Sequence, residues 1–551
     1  MEMTAAKAIV EVMQREGVEK AFCVPGESYL DVLDELYCHS SIEVISGRHE
    51  GGVSFMTEGY AKSSGKVGVC MATRGPGATN LSIGLHTAYQ DSTPVVAFVG
   101  QVERQFRNRE GFQEIDLAGY FNHILKWSIE IDDASRVPEL VHRAFHTART
   151  GRPGPVLVSL PQDVLSEVAE MQFQAHEIYD NPSPHPAAIA KTKELLEAAS
   201  KPVIIAGGGV TLTKSASSLT QLAETLNIPV LTSFRRYDAF PNQHQNYTGT
   251  LGLGSKKYVI DMVQEADLVI AVGTRFSQTM TQDYTLLTPD TKLIHVDISS
   301  EEINKVYSPT VGIVADAKAF IETLLEELPA DLVVPPERTQ FAQEARKNYE
   351  GIATPREKYD DQFVNLEGLI YDFNQILPED TVITSDAGNF FGWLSRFYQF
   401  KTEGTYVGPT SGAMGYGLPA AIGSKIAQPD KPVVAFCGDG GLMMTVQELE
   451  TAVRYKIPII VIVANNNMYG TIRMHQEIKF PSRVVGTSLN NPNFAEMMEL
   501  MGGYGESIES NKEFSKALER AMESNMPALI ELKTDPDQVT VDKAISTLHQ
   551  T

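Results

Sequence analysis

Two short polar motifs in the last quarter of the chain contain groups that bind cations and phosphates. Gly-Asp-Gly occupies residues 438–440, and an Asn-Asn pair occupies residues 465–466, after 24 intervening residues. Each motif ends an apolar run, 432–437 and 457–464, and the segment 444–455 between them has helical periodicity. Two apolar runs joined in this way predict a strand–helix–strand unit of a parallel sheet. Both motifs are therefore expected at the carboxyl ends of neighbouring strands, where open α/β sheets bind ligands.

The residue types in these motifs suit a divalent cation and a diphosphate. Asp439 and Asn466 both offer hard oxygen ligands, and Mg²⁺ prefers one or two carboxylates together with phosphate oxygens. Gly440 and Gly441 leave room for backbone N–H groups to approach a diphosphate at the start of a helix. Either motif alone also fits an ordinary strand end or strand-to-helix turn. The ordered pair of motifs predicts a site for Mg²⁺ and a diphosphate.

Length and charge narrow the class of protein. The 551 residues are too many for one hydrophobic core and indicate about three domains. The 46 Lys and Arg against 70 Asp and Glu give a net charge of −24, which argues against a nucleic acid or an anionic membrane surface as partner. The N-terminus has no apolar signal core, and no run of about 20 apolar residues occurs. We therefore expect a cytoplasmic protein.

Alternating helical and β-rich patterns predict an α/β fold of three doubly wound parallel-sheet domains. The predicted domains span residues 1–168, 187–330 and 355–535, and the segments 170–186 and 329–354 are predicted to be linkers. Continuous apolar runs are typical of strands that are buried on both faces. Thirteen such strands are predicted, at 21–24, 43–46, 67–72, 95–99, 155–160, 202–206, 229–232, 268–272, 292–297, 381–385, 433–436, 459–464 and 528–532.

The first predicted domain has a carboxylate at the same kind of sheet edge. Glu50 follows the predicted strand 43–46 and precedes a helical run over 52–63. An acid here also suits the first turn of a helix, where the macrodipole favours negative charge. The sequence Thr-Arg-Gly-Pro-Gly-Ala-Thr-Asn at 73–80 predicts a tight turn into a helix, because its glycines permit positive φ and close backbone approach. Each segment could shape the fold, contact a ligand, or do both.

Several motifs together resemble one enzyme family. They are Arg-His-Glu at 48–50, Gly-Pro-Gly-Ala-Thr-Asn at 75–80, Phe-Gln-Glu at 112–114, Gly-Ala-Met-Gly-Tyr-Gly-Leu-Pro at 412–419, Gly-Asp-Gly at 438–440 and Asn-Asn at 465–466. This set resembles the thiamine diphosphate-dependent enzymes of the acetolactate synthase-like group, which also includes pyruvate oxidases and 2-oxo acid decarboxylases. The resemblance covers nearly the whole chain. It implies a pyrimidine-binding domain, a central Rossmann-like domain and a diphosphate-binding domain, in that order.

The resemblance implies roles for residues in the first and third domains. Glu50 would hold a carboxyl group against a pyrimidine ring nitrogen and stabilise the imino tautomer, whose nitrogen removes the thiazolium proton. Asp439, Asn466 and the carbonyl of Met468 would bind Mg²⁺, and Met414 would force the cofactor into its bent shape. The implied cofactor contacts come from Pro76, Asn80, Gly388, Asn389, Phe390, Gly412, Met414, Gly438, Asp439, Gly440, Gly441, Asn466, Met468, Tyr469 and Gly470.

The resemblance places substrate selection around Glu27, Gln113, Thr279 and His475. Glu27 stands where acetolactate synthases usually have glycine and pyruvate decarboxylase-like enzymes have an acid that donates a proton. An acid/base role and the role of a helix N-terminal acid both stay open for Glu27. Gln113 matches a glutamine that lies over the reacting centre in the family. Gly26, Glu27 and Gln113 are therefore expected beside Glu50 in the catalytic site.

Three further positions depart from the synthase pattern. Arg74 stands in place of a serine, Thr279 in place of an arginine that helps to receive the second oxo acid, and His475 in place of a tryptophan. The changes at 279 and 475 argue against branched-chain acetohydroxyacid synthesis and leave the cofactor chemistry untouched. The glycine run 207–209 and Arg152 allow an FAD site in the central domain, as in synthases and pyruvate oxidases.

The resemblance implies an enzyme that decarboxylates a 2-oxo acid such as pyruvate and joins the remaining fragment to a second carbonyl. Glu50 of one chain would meet Asp439 and Asn466 of another, so we expect a homodimer or homotetramer with active sites at the subunit interface. The alternatives are a non-oxidative 2-oxo acid decarboxylase, which Glu27 and the missing arginine at position 279 favour, and an FAD-dependent pyruvate oxidase-like enzyme. A catalytically silent thiamine diphosphate-binding protein is an alternative of another class, against which the retained Glu50 argues.

Overall fold

The computed structural model describes residues 1–173, 180–329, 332–360 and 362–548. These residues form three parallel sheets of six strands each, with helices between the strands, and two antiparallel sheets of two strands. This architecture confirms the prediction of an α/β fold with three parallel sheets. No helix in the described part of the chain combines the length and the apolar character that crossing a membrane requires.

The first sheet comes from the N-terminal part of the chain. Its elements are β1 (Glu2–Thr4), α1 (Ala5–Arg15), β2 (Lys20–Cys23), α2 (Leu30–His39), β3 (Glu43–Ser46), α3 (Glu50–Ser64), β4 (Gly68–Thr73), α4 (Arg74–Asp91), β5 (Val95–Gln101), α5 (Leu117–Phe121), β6 (Trp127–Glu130), α6 (Val137–Arg149), β7 (Pro155–Pro161), α7 (Gln162–Leu165) and β8 (Val168–Glu170). The six parallel strands follow the order β3-β2-β4-β5-β7-β6, and β1 pairs with β8 in a separate antiparallel sheet. All seven residues of β5 are buried, as expected for a strand covered by helices on both faces.

The central sheet has the strand order of a dinucleotide-binding fold. Its elements are α8 (Pro186–Ala198), β9 (Pro202–Ala206), α9 (Gly208–Leu212), α10 (Ala216–Leu226), β10 (Val230–Thr232), β11 (Tyr247–Thr250), α11 (Lys257–Glu265), β12 (Leu268–Val272), β13 (Lys292–Asp297), β14 (Val311–Val314), α12 (Ala317–Glu327) and α13 (Pro336–Ala353). The strands follow the order β11-β10-β9-β12-β13-β14, so the order reverses between β9 and β12.

The predicted linker 329–354 is wrong for most of its length, because α13 fills it. Pro336 occupies the first helical position, where its missing N–H costs nothing. Tyr349 and Ala353 are buried in the core of the central sheet, and Arg338 donates hydrogen bonds to two carbonyls at the end of α8. The charged composition of α13 concealed the apolar positions that it buries. The other predicted linker, 170–186, includes residues 174–179, which lie outside the described residues.

The third sheet contains both polar motifs, Gly-Asp-Gly at 438–440 and Asn-Asn at 465–466. Its elements are α14 (Leu366–Ile376), β15 (Val382–Ser385), α15 (Phe391–Phe397), β16 (Tyr406–Val407), α16 (Gly417–Ala427), β17 (Val433–Gly438), α17 (Asp439–Leu442), α18 (Glu448–Arg454), β18 (Ile460–Asn465), α19 (Gly470–Lys479), α20 (Phe494–Leu500), β19 (Tyr504–Ile508), α21 (Asn511–Glu523), β20 (Ala528–Lys533), β21 (Gln538–Thr540), β22 (Lys543–Ala544) and α22 (Ile545–Leu548). The order is β16-β15-β17-β18-β20-β19, the same arrangement as in the first sheet when each set is numbered along the chain.

All thirteen predicted strands are present; five further strands of the three parallel sheets were missed, together with the four short strands of the antiparallel sheets. The missed strands β6, β11, β14, β16 and β19 all lie at sheet edges. An edge strand is partly open to solvent, so it lacks the continuous apolar run of a central strand. Buried and exposed residues alternate along β14, and every residue of β6 is only half-buried.

The helix predicted over 444–455 is also shorter than expected. It is α18, which begins only at Glu448. The N–H of Met444 donates to the Gly441 carbonyl and the N–H of Thr445 to the Leu442 carbonyl, so a run of turns leads out of α17. Helical periodicity alone could not separate these turns from the helix that follows.

α3 and α16 pack so closely that their backbones touch. A Cβ atom placed on Gly59 of α3 would lie 2.5 Å from the Ala420 carbonyl oxygen. A Cβ atom on Gly423 of α16 would lie 2.0 Å from the Met56 carbonyl oxygen. Side chains cannot occupy those positions without pushing the helices apart. This contact joins the first and third sheets into one body.

A buried charged cluster connects all three sheets. Lys62 lies 2.8 Å from Glu58 and 2.5 Å from Asp91. Asp91 also accepts a 2.9 Å hydrogen bond from the Thr410 N–H and lies 3.7 Å from Arg236. Burial raises the pKa of Glu58, whereas for Asp91 the charges of Lys62 and Arg236 outweigh burial and lower the pKa. Each buried charge in this cluster therefore has a partner of opposite charge.

We expect Gly59→Ala to lower the free energy of unfolding by about 3 kcal/mol, because the new methyl group must displace the Ala420 backbone. Chemical denaturation followed by circular dichroism measures the change. Gly351→Ala is the matched control, since a Cβ on this residue of α13 meets no heavy atom within 4 Å. The control should leave stability unchanged or raise it by up to about 1 kcal/mol. Equal destabilisation by both substitutions would contradict the close contact of α3 and α16.

Candidate active site

Glu50 is the first residue of α3 and lies buried against the start of α4. Its exposed fraction is 9%, and its Oε2 accepts a 2.9 Å hydrogen bond from the Asn80 side-chain amide. A Cβ atom placed on Gly77 would lie 3.2 Å from Glu50 Oε1, so glycine at this position lets the turn approach the carboxylate. The His49 ring caps α3 by accepting from the Gly51 N–H at 2.9 Å. The structure thus brings Glu50 and Asn80 together at the carboxyl ends of β3 and β4.

Glu448 of α18 holds the loop that precedes Glu50. Its Oε1 accepts hydrogen bonds of 3.1 Å from the N–H groups of Arg48 and His49, and its Oε2 accepts from Thr451 at 2.7 Å. Burial raises the pKa of Glu448, and these hydrogen bonds oppose that rise. Sequence reasoning missed this residue; the only signal was an acid on the buried face of the helix between the two motifs. An element of the third sheet therefore positions the Glu50 backbone.

Asp439 stands between β17 and α17 and is almost fully buried. Its Oδ1 accepts from the Gly440 N–H at 2.9 Å, and its Oδ2 accepts from the Asn491 amide at 2.7 Å. The same amide donates to Asn465 Oδ1 at 3.0 Å, while the Asn465 amide donates to buried Glu531 at 2.7 Å. Burial raises the pKa of Asp439, and the donors around it oppose that rise. Asn465 is thus a structural member of the Asn-Asn pair, and Asn491 is a site residue that sequence reasoning missed.

Asn466 and Met468 present oxygen atoms at the end of β18. Asn466 Oδ1 accepts from the Met468 N–H at 3.2 Å, and the Met468 carbonyl accepts from the Gly470 N–H at 3.0 Å. The Tyr469 N–H donates to the Thr487 carbonyl at 2.9 Å and fixes the turn. Each oxygen retains a lone pair for a cation.

The described ranges contain no group of three or more His, Cys, Asp or Glu side chains suited to a metal. A cation at the end of β17 and β18 would therefore combine the Asp439 carboxylate with the Asn466 amide oxygen and the Met468 carbonyl. Phosphate or water oxygens would complete its coordination. Few carboxylates and several neutral oxygens are the pattern that Mg²⁺ accepts, so these residues fit that ion.

The turn after Asp439 is a cradle that only glycine permits. A Cβ on Gly440 would lie 2.6 Å from the Tyr469 ring, and a Cβ on Gly441 would lie 2.4 Å from Asp386 Oδ2. Asp386 Oδ1 accepts from the Gly417 N–H at 2.7 Å, whereas its buried Oδ2 has no hydrogen-bond partner among the described residues. Burial raises the pKa of Asp386 to about 6. The bare backbone of this turn fits a diphosphate-bearing cofactor, whereas the unpartnered Asp386 oxygen requires a hydrogen-bond donor.

The turn that leads into α16 lies beside this cradle. Thr445 donates to the Gly415 carbonyl at 2.8 Å and ties the turn to the segment after α17. Gly412 is exposed at φ +73°, and a Cβ placed there would meet nothing within 4 Å. Met414 is half-buried next to it. The Gly412 backbone and the Met414 side chain thus border open space next to the glycine cradle.

Phe390 and Asn389 close the other side of the glycine turn. The Phe390 ring packs against Phe436 at 5.2 Å and covers Gly388 and Gly438, whose added Cβ atoms would lie 2.5 and 2.8 Å from it. Phe390 therefore has a clear packing role. The Asn389 N–H donates to Thr471 Oγ1 at 3.1 Å, and that hydroxyl donates to Asn389 Oδ1 at 3.1 Å. This pair ties the end of β15 to α19.

Gly26 and Glu27 lie at the end of β2, next to the start of α4. A Cβ on Gly26 would lie 2.4 Å from the Thr73 Cβ, so glycine allows the two strand ends to approach. Glu27 is paired with Arg74 at 3.2 Å, and 55% of its side chain is exposed.

Gln113 packs on the same turn. Its carbonyl accepts a 3.0 Å hydrogen bond from the Gly75 N–H, and a Cβ on Gly75 would lie 2.8 Å from that carbonyl. Pro76 follows in the turn, and its carbonyl accepts from Thr79 at 2.9 Å. The first-domain site residues predicted from the sequence therefore surround one turn.

The Glu50 group and the Asp439 group remain separate clusters within one chain. No hydrogen bond among the described residues links Glu50 or Asn80 to Asp439 or its partners. Large apolar side chains are exposed beside both clusters. Ile83 and Phe112 are 43% and 72% exposed near Glu50, and Met444 and Ile472 are 49% and 53% exposed near the glycine cradle.

Packing and hydrogen bonds within the protein account for the residues that suggested an FAD site. Added Cβ atoms on Gly207 and Gly209 would lie 2.2 and 2.6 Å from Gly273 backbone atoms, so close packing at the ends of β9 and β12 accounts for these glycines. Arg152 donates to the Ser92 hydroxyl and the Tyr89 carbonyl, each at 2.9 Å. These contacts neither require nor provide a flavin.

The two remaining departures from the synthase pattern lie apart from these clusters. Thr279 is half-buried and forms a 3.2 Å hydrogen bond with Ser277 after β12. His475 is exposed on α19. Neither contacts the Glu50 group or the Asp439 group through a hydrogen bond that the described structure contains.

Three known protein-domain families match consecutive segments of the chain. The family described as "Thiamine pyrophosphate enzyme, N-terminal TPP binding domain" matches residues 3–120, where TPP is thiamine diphosphate. The corresponding central domain matches residues 189–324, and the C-terminal TPP binding domain matches residues 386–532. The three matches follow the order of the three sheets.

Curated relatives match the chain over nearly its full length. A probable acetolactate synthase large subunit of Methanocaldococcus jannaschii is 35% identical over 97% of this chain and 92% of its own length. The acetolactate synthase large subunit of Corynebacterium glutamicum is 34% identical over 97% and 87%, and the isozyme 3 large subunit of Escherichia coli is 32% identical over 95% and 93%. The chain therefore belongs to the thiamine diphosphate-dependent enzymes and, within them, to the acetolactate synthase-like group.

Proposed function

We propose that the protein uses thiamine diphosphate and Mg²⁺ to decarboxylate a pyruvate-like 2-oxo acid and to join the remaining fragment to a second carbonyl compound. The observation that supports this most directly is the buried carboxyl group of Glu50, which Asn80 holds at 2.9 Å. Bound thiamine diphosphate supplies an electron sink for the carbon that loses CO₂. The chain's own residues must bind it, exclude water and move a proton.

Glu50 is the proposed proton-transfer group. Because its Oε2 already accepts from Asn80, Oε1 is the oxygen that faces the Gly77 turn and can share a proton with a pyrimidine nitrogen. Burial keeps water from competing for that proton. Glu448 fixes the preceding loop and so limits the movement of the carboxyl group.

Asp439, Asn466 and the Met468 carbonyl are the proposed ligands of Mg²⁺, and the glycine cradle is the proposed seat of the diphosphate. Asn491 supports the assignment because its amide holds Asp439 Oδ2 in place at 2.7 Å. Gly412 and Met414 border the open space beside the cradle, where they would contact the rest of the cofactor.

Two other reactions are ranked below carboligation. A non-oxidative decarboxylase is favoured by Glu27 and by the missing arginine at position 279, but the Glu27 side chain is 55% exposed and no hydrogen bond in the described structure links it to Glu50. An oxidase requires flavin, and packing already accounts for Gly207, Gly209 and Arg152. A catalytically silent binding protein would have no need for a buried carboxyl group at the position of Glu50.

Product analysis separates these functions. The purified protein is incubated with pyruvate, Mg²⁺ and thiamine diphosphate, and the products are identified by NMR. Acetolactate and one CO₂ per ligation are expected. Acetaldehyde without acetolactate would contradict carboligation. Absorption at about 450 nm in stoichiometric amount in the purified protein would indicate a bound flavin.

We expect Glu50→Gln to lower turnover of pyruvate by at least about 100-fold, because an amide can hydrogen-bond but cannot transfer the proton. Stopped assays of CO₂ release measure turnover, and calorimetry checks that thiamine diphosphate still binds. Glu43→Gln is the control, since this exposed residue at the start of β3 pairs only with Lys20 in the described contacts. Full turnover of Glu50→Gln would exclude the assigned role.

We also propose that a second copy of the chain completes each active site, as a homodimer or a tetramer built from two such dimers. The Glu50 and Asp439 groups share no hydrogen bond within the described chain, and exposed apolar side chains lie beside both. A two-fold interface that pairs the first domain of one chain with the third domain of the other would cover those side chains.

Mixed dimers test whether the site is shared. Co-expression of Glu50→Gln with Asp439→Asn should restore about a quarter of wild-type turnover, because half of the dimers are mixed and one of their two sites is intact. Each variant alone should be inactive. A protein that carries both substitutions in every chain is the control. If the co-expressed variants stay as inactive as this control, each active site lies within one chain.

A further inference from the structure

Arg74 has an unusual backbone and an incompletely used guanidinium. It opens α4 at φ +43°, a left-handed conformation that costs a residue other than glycine about 1–2 kcal/mol. Its Nη1 donates to Glu27 at 3.2 Å and its Nη2 to Gln162 at 3.0 Å. Only 11% of the side chain is exposed, and its buried Nε has no hydrogen-bond partner in the described structure. Backbone strain retained at such a position points to a functional constraint.

Gln113 presents the complementary feature on the adjacent loop. It also has a left-handed backbone, at φ +65°, and its buried side-chain Oε1 has no partner among the described residues. Its carbonyl is bonded to the N–H of Gly75, the residue next to Arg74. The neighbouring Phe112 ring lies 5.9 Å from the Arg74 guanidinium carbon. Two strained residues thus place an unused donor and an unused acceptor on either side of one turn.

The unused donor of Arg74 and the unused acceptor of Gln113 suit one class of ligand. An arginine offers five N–H donors in a planar fork that suits a carboxylate, and two of those of Arg74 are used here. A free amide oxygen requires a donor, such as a hydroxyl group. A carboxylate with a hydroxyl on the adjacent carbon satisfies both. It is also the group that forms when the carbonyl of a 2-oxo acid is attacked.

We propose that Arg74 binds the carboxylate of the acceptor in the ligation step, and that Gln113 accepts a hydrogen bond from the hydroxyl that forms. The inference rests on the proposed function and specifies its acceptor as a 2-oxo acid, not a neutral aldehyde. In this step a carbon–carbon bond forms at the acceptor carbonyl carbon and its C=O π bond breaks. The oxygen takes up one proton from water, so the product gains a hydroxyl group.

The placement of Arg74 favours this reading over a purely structural one. Glu27, its only charged hydrogen-bond partner in the described chain, is more than half exposed, and solvent weakens such an ion pair. A structural ion pair would not require a buried and unpartnered Nε. A Cβ on Gly77 would lie 3.2 Å from Glu50 Oε1, so the turn that begins at Arg74 also borders the proposed proton-transfer group.

The test compares anionic and neutral acceptors in the holoenzyme. With pyruvate as donor, Arg74→Gln should raise KM for a 2-oxo acid acceptor by about 10- to 100-fold, the usual value of a charge-assisted hydrogen bond. KM for acetaldehyde as acceptor should change less than twofold. CO₂ release should continue, with acetaldehyde and acetoin replacing acetolactate.

Two further variants serve as controls. Arg74→Lys should recover part of the affinity for the 2-oxo acid acceptor. Arg136→Gln, which removes an exposed arginine paired with Glu139, should change none of these values.

A binding measurement makes the test independent of turnover. Calorimetry compares 2-hydroxy-2-methylpropanoate with its neutral amide. The acid should bind to the wild-type holoenzyme and should not bind to Arg74→Gln. The amide should bind to neither protein. Unchanged acceptor KM and unchanged binding of the acid in Arg74→Gln would overturn the proposal. Equal loss of thiamine diphosphate binding would also overturn it, by showing a structural role. If the wild type releases no CO₂ yet binds the acid through Arg74, the proposed function fails and the carboxylate site stands.

Discussion

The contact between α3 and α16 is the constraint on which the rest of the structure depends. Gly59 and Gly423 let the two backbones touch, and neither position can hold a side chain without separating the helices. Glu50 begins α3, and the turn with Gly412 and Met414 leads into α16. The distance between the helices therefore sets the distance between Glu50 and the Gly412–Met414 turn, which belong to two different active sites in the proposed dimer. The Glu58–Lys62–Asp91 cluster reinforces this contact, because breaking it would leave buried charges without partners.

The shared strand order of the first and third sheets explains why the functional motifs lie where they do. In each sheet the second strand along the chain lies at an edge and is followed by the helix of the close contact, α3 or α16. The third strand of each sheet, β4 or β17, leads into a glycine turn. The same scaffold thus presents Glu50 in one domain and Asp439, the proposed metal ligand, in the other. Function depends on these local differences and not on the fold itself.

Sequence alone predicts those parts of the fold whose signal is local. Central strands such as β5 are continuous apolar runs, whereas β6 and β14 are edge strands whose half-buried or alternating residues resemble loops. Residues of the candidate site were likewise predicted only where the sequence signal is local. Asp439 and Asn466 belong to contiguous motifs, but Glu448 acts on Arg48, which is 400 residues away, and only the folded chain brings them together. Asp386 and Asn491 were missed for the same reason.

The net charge of −24 disfavours the approach of an anion such as a 2-oxo acid, but this effect weakens with distance. At physiological ionic strength the field of surface charges decays over about 8–10 Å, so the average charge mainly slows the approach of an anion. Binding depends on the charges in contact with the ligand. At the turn after β4 these are one largely buried arginine and one half-exposed glutamate, which solvent screens more strongly. A strongly acidic protein can therefore retain a local site for a carboxylate, and the strained backbone of Arg74 is the structural cost of placing a cation there.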